Sequence, residues 1–136
     1  MLQIYFISVL INVLGGLVLA FPILGEQFKC LIIFEDFVNI IQDNKKVRSI
    51  FGTISLIASI FEIIIPYDLP IIGNLLPAIS LFFIGFIFRQ PVPISIQNNK
   101  GYGKFKFFIE SNKKLIGIFA LIIGIIHFFA AKVPFL

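Results

Sequence analysis

Four long apolar runs, set apart by two charged segments and one short proline-flanked link, organise this chain. Residues 2–24 carry no charged side chain, and as a helix rising 1.5 Å per residue they reach about 34 Å, beyond the roughly 30 Å hydrocarbon core of a bilayer. Residues 47–65 and 70–88 form two more apolar runs of about 19 residues, near the length a bilayer requires, and residues 115–134 form the fourth, closed by Lys132 and Pro134. The first run lacks a basic leader and is too long for a typical signal-peptide core, so it is expected to remain as a span. Between the second and third runs stands Pro66-Tyr67-Asp68-Leu69-Pro70. Pro66 cannot continue a helix, Asp68 has the side chain to cap the next one, and Pro70 is tolerated in a first turn whose N–H groups lack internal acceptors. So short a link makes these two helices an antiparallel hairpin. The pattern predicts an all-α integral membrane protein, a four-transmembrane-helix bundle in one domain spanning residues 1–136.

The charged segments have a period of their own. Phe34, Phe37, Val38 and Ile41 recur at helical spacing, with Glu35, Asp36, Asn39, Gln42, Asp43 and Lys46 on the opposite side. An amphipathic helix at the membrane interface is therefore expected over residues 34–46. Residues 104–114 repeat the pattern, with Phe105, Phe108 and Ile109 facing away from Lys106, Glu110 and Lys113. A second reading competes there: Ile94-Ser95-Ile96-Gln97 and Lys104-Phe105-Lys106-Phe107 alternate around an Asn- and Gly-rich centre, as a short hairpin over residues 94–107 would.

Composition agrees with lipid as the solvent. Apolar side chains make up 59% of the 136 residues and charged ones 13%, against roughly 25% charged in a soluble domain; the mean hydropathy is +1.05. Lys29, Lys45, Lys46 and Arg48 border the first long loop, and Arg89, Lys100, Lys104, Lys106, Lys113 and Lys114 border the second, leaving Lys132 elsewhere. The positive-inside rule then puts both long loops in the cytoplasm and both termini outside. Abundant Ile, Phe, Asn and Lys is the bias of AT-rich coding sequence, so the expected membrane is the bacterial inner membrane. Basic and aromatic residues interleave in the second loop, but orientation and attraction to anionic lipid account for them without nucleic acid. The single cysteine, Cys30, excludes an internal disulfide and a Cys-pair redox mechanism within one chain.

An internal repeat emerges at an offset of 68. Between residues 37–66 and 105–134 eleven of thirty positions are identical, including Asn44-Lys45-Lys46 with Asn112-Lys113-Lys114 and Pro66 with Pro134. Two tandem helix-loop-helix units, about residues 1–68 and 69–136, would share one orientation and give the bundle pseudo-two-fold symmetry. The first halves match only weakly, through Gly16 with Gly85 and Pro22 with Pro91, at an offset of 69.

Small residues mark the faces on which helices meet in lipid. The fourth run carries Gly117, Ala120, Gly124, His127 and Ala131 in such a stripe, and the second carries Ser49, Gly52, Ser55, Ser59 and Glu62. These two helices are expected to meet near the pseudo-axis. Glu62 and His127 are the only acidic and imidazole side chains well inside a span, about 22 Å and about 18 Å along their helices. Together with Ser59 they form the candidate intramembrane site, since a Glu–His pair can carry protons or bind a cation. The alternative is structural: Glu62 near the outer headgroups and His127 donating one hydrogen bond to a neighbouring helix. Ser8, Asn12, Asn74 and Ser80 are expected to hydrogen-bond between helices, and Gly15-Gly16 to mark a close packing point. No catalytic motif, cofactor cradle or metal-ligand spacing is present. The residues thus point to a non-enzymatic subunit of a membrane complex, held in the bilayer with a protein partner or further copies of itself. A small channel or carrier built on the interface of the second and fourth helices is the other reading.

Overall fold

The computed structural model describes residues 2–64, 71–89 and 100–129. The expected stops and caps at Pro66, Asp68 and Pro134, the first arm of the alternative hairpin at residues 94–97, and the side chain of Asn74 lie outside what is described. All the described elements are helical: α1 (Leu2–Gln27), a 3-10 turn (Lys29–Phe34), α2 (Glu35–Asp43), α3 (Lys45–Ile64), α4 (Ile71–Phe88) and α5 (Lys100–Phe129). Tyr5–Gln27, Lys45–Ile64 and Gly101–Phe129 are each long and apolar enough to cross a membrane, and Leu75–Phe88 is a shorter apolar helix.

The side chains are distributed as lipid requires. Ile50, Ile54, Ile57 and Ile60 on α3 and Phe119, Ile122 and Ile125 on α5 are exposed, while Ser8, Asn12, Ser55, Ser59, Glu62, Ser80 and His127 are buried. In water this arrangement would be unstable; in hydrocarbon it hides the groups that need partners.

α1 packs most closely on α5, and α3 on α4, with α1 and α4 also touching at the centre. The expected meeting of the second and fourth apolar helices does not occur: among the described residues no Cα of α3 comes within 8 Å of one in α5. Each small face is taken by a different neighbour. A Cβ added at Gly117 would lie 2.6 Å from the Ala20 amide nitrogen, and one at Gly16 would lie 2.6 Å from that of Leu121, so α1 and α5 cross backbone to backbone. Gly52 and Gly85 do the same for α3 and α4, a Cβ on Gly85 falling 2.9 Å from the Gly52 carbonyl oxygen. Gly124 seats against Val13 of α1, and Ala120 is fully buried in the core beside Val18, Leu19, Ile84 and Phe88.

The fourth span and its amphipathic approach are one helix of 30 residues. The hairpin reading is overturned at its second arm, because Lys104 to Phe107 are helical. Tyr102 and Phe105, one turn apart, both set their rings against Phe86 of α4, at centroid distances of 5.9 and 5.3 Å, and Ile109 is buried a turn further on. Those contacts follow the helical period and outweigh the local alternation of Lys and Phe.

α2 keeps its amphipathic pattern but points its apolar face at protein. Val38 and Ile41 are buried in the same core cluster as Val18 and Phe88, while Phe28 and, in the 3-10 turn that follows it, Ile32, Ile33 and Phe34 are exposed. Two polar devices hold α2 in place. Asn44 breaks the chain between α2 and α3, and its Oδ1 accepts from the amides of Lys46 (3.0 Å) and Val47 (3.3 Å), an N-cap for α3. Pro22, inside α1, has no N–H to offer the Val18 carbonyl one turn back, and Gln42 Nε2 donates to that oxygen at 3.0 Å. Gln42→Ala should therefore lower stability in detergent by about 1 kcal/mol, whereas Asn39→Ala on the same exposed side should change it by under about 0.5 kcal/mol. Thermal unfolding of the two variants checks this, and equal transitions would remove the latch.

Candidate functional site

The buried polar groups gather in the half of the bundle remote from the basic loops. Three helices supply the centre. Ser8 and Asn12 stand four residues apart on α1, Ser59 and Glu62 three apart on α3, each about one turn, and Ser80 comes from α4, which also contributes the carbonyls of Pro77 and Ala78. Each helix presents this face because its opposite side is uniformly apolar, so burial of one stripe and exposure of the other follow together.

Glu62 is 1% exposed. Its Oε1 accepts a hydrogen bond from the Ser8 hydroxyl, which also lies 3.1 Å from the Tyr5 carbonyl. Its Oε2 is buried with no hydrogen-bond partner among the described residues. Ser59 donates to the Ala78 carbonyl at 2.8 Å. Ser80 Oγ is 2.5 Å from Asn12 Oδ1 and 2.9 Å from the Pro77 carbonyl, so its single proton sits between two acceptors. Asn12 Nδ2 faces the Pro77 carbonyl at a long 3.5 Å.

His127 reaches the cluster from the other side. It is 2% exposed, its ring lies against that of Tyr5 at 4.6 Å between centroids, and the Tyr5 hydroxyl donates to the His127 carbonyl. Glu62 and His127 are therefore brought to successive turns of α1, at Ser8 and Tyr5 respectively. An interface of α3 with α5 does not hold them. Of the polar residues picked out in the sequence, Ser8, Asn12, Ser59, Glu62 and Ser80 join one cluster, with His127 at its edge. Ser55 stays apart and donates to the Phe51 carbonyl of its own helix at 2.8 Å. Tyr5 was not singled out in the sequence, although a phenol inside an apolar run needs a partner and so marks a contact.

Toward the basic end Val18, Ile84 and Phe88, each 0–2% exposed, pack in one apolar cluster, while Leu81, next to Ser80, belongs to a second with Ile11 and Ala58; Phe51 lies against both. The arrangement can hold a proton or accept hydrogen bonds at Glu62 Oε2. Among the described residues no three His, Cys, Asp or Glu side chains gather as a metal ion would require. Residues 1–127 match a family model of unknown function. No curated protein and no solved structure matches the chain.

Proposed function

The chain belongs to that family of unknown function, and from its own geometry we propose that it is a non-enzymatic, multi-pass protein of the bacterial inner membrane, a structural or accessory subunit of a membrane complex. The observation that carries this reading is the closed interior. Glycine crossings bring the helices together backbone to backbone, Val18, Ile84 and Phe88 are packed and buried toward the basic end, and the polar side chains bond to one another and to backbone carbonyls. Such an interior fits a framework better than a conduit. α4 serves as a fourth span beside the three longer helices. Both basic loops lie in the cytoplasm, where the exposed Phe28, Ile32, Ile33 and Phe34 offer a surface to lipid or to a partner. The tandem repeat is supported by the helix pairing, since exchanging the two units carries the contact of α1 with α5 onto that of α4 with α3. The pseudo-axis of the bundle then runs between α1 and α4.

Affinity purification in mild detergent should recover a stoichiometric partner or a stable homo-oligomer. A lone monomer under those conditions would remove the proposal. A C-terminal reporter active only in the cytoplasm should be silent; activity there would invert the orientation.

One observation favours a second reading, a small ion or solute carrier: the bare Oε2 of Glu62. Its route would run among α1, α3 and α4. Proteoliposomes carrying the protein should pass protons or monovalent cations at the rate of empty liposomes if the framework reading holds, and faster, in a manner lost on Glu62→Gln, if the carrier reading does.

A further inference from the structure

At the basic end of the bundle a cavity of about 280 Å3 opens between α1, α2, α3, α4 and α5. Its charged lining comes from Arg48, Lys113 and Asp43, and its floor is apolar, with Pro22, Ile87 and Phe88 among the residues forming it. Arg48 stands in the first turn of α3, and Lys113 two residues before the apolar run of α5 begins. The cavity is thus placed where basic loop gives way to apolar helix, the level of lipid headgroups.

The guanidinium of Arg48 is left partly unsatisfied by the described residues. Its Nε is buried with no hydrogen-bond partner among the described residues. Although Asp43 shares the lining, the one ion pair among the described residues is Lys106 with Glu110, at 3.9 Å. A buried charged donor lacking an acceptor is unfavourable, and a planar guanidinium offers paired N–H groups suited to two oxygens of one phosphate. Lys113 supplies a second cation from another helix. With Asp43 counted, the lining keeps a net single positive charge, suited to the single negative charge of a phosphodiester. The apolar floor fits what such a phosphate would bring with it, a glycerol backbone and the first methylenes of acyl chains.

We infer that this cavity binds the phosphate of an anionic phospholipid, held between Arg48 and Lys113. The inference does not depend on whether the protein has a partner. Phosphatidylglycerol and phosphatidylcholine, added in steps to the detergent-solubilised protein and followed by native mass spectrometry, test it. Phosphatidylglycerol should bind at least about tenfold more tightly than phosphatidylcholine. Arg48→Gln and Lys113→Gln should each reduce that binding about tenfold, Arg48→Lys should retain part of it, and Lys104→Gln, an exposed residue outside the cavity, should leave it unchanged. Lys113 is exposed, so its variant carries the test even if the Arg48 variants fold poorly. Unchanged binding in Lys113→Gln, or an equal loss in Lys104→Gln, would overturn the site in favour of diffuse attraction to a basic surface. Full displacement of the lipid by millimolar inorganic phosphate would overturn the lipid as its occupant.

Discussion

Gly16→Ala and Gly117→Ala are each expected to destabilise the protein by about 3 kcal/mol, the upper end of what overpacking of a well-filled core costs. The reason is what the added methyl meets. At Gly16 it would press on the Leu121 nitrogen at 2.6 Å and the Gly117 oxygen at 2.8 Å, and at Gly117 on the Ala20 nitrogen at 2.6 Å. These are backbone atoms of a neighbouring helix, which cannot rotate aside as the end of a side chain can, so α1 and α5 must separate along their contact. Gly103→Ala is the matched comparison. It lies in the same helix with nothing within 4 Å of the added atom, and it should gain up to about 1 kcal/mol from better helix propensity. Thermal unfolding of the three variants in one detergent measures the difference. Gly16→Ala as stable as Gly103→Ala would mean that the crossing is looser than the geometry states.

Glu62→Ala should cost about 2–4 kcal/mol, through the cavity left in a fully packed position and the buried Ser8 hydroxyl deprived of its carboxylate acceptor. Glu62→Gln should stay within about 1 kcal/mol of the unsubstituted protein, because the amide oxygen still accepts from Ser8 and the volume is conserved. Chemical or thermal unfolding separates the two. If alanine and glutamine were equally tolerated, the Ser8 contact would contribute nothing. The same glutamine variant gives the carrier reading its clearest test, since it leaves the packing intact while removing the carboxyl group.

Much of this architecture is legible in the residues. The helical class follows from apolar runs of bilayer length, whereas the turn from α2 into α3 falls at Asn44, inside the stretch to residue 46 expected as one amphipathic helix. Pairing of the helices was harder to read. A stripe of small residues states that a face will be approached closely, but not by which neighbour. The stripes on α3 and α5 were matched with each other, whereas Gly16 on α1 and Gly85 on α4 lie at the right depth to receive them. The polar cluster was partly visible for a related reason. Ser8, Asn12, Ser59 and Ser80 are conspicuous in apolar helices, yet the acceptors they use include the carbonyls of Pro77 and Ala78, which no side-chain pattern marks. Pro22 did leave a signal. A proline inside a helix frees the carbonyl four residues earlier, and Gln42 is what reaches it.

The uninterrupted length of α5 makes it a strut. From Lys100 to the Gly117 crossing is about 26 Å, and from there to His127 about 15 Å. The longer segment rests on α4 through Tyr102 and Phe105, the shorter on α1 through Leu121 and Gly124, and no proline interrupts the rod. The helices that lead the two halves of the chain are thereby tied to one another by a third, along a span of some 40 Å, about what the rise per residue gives.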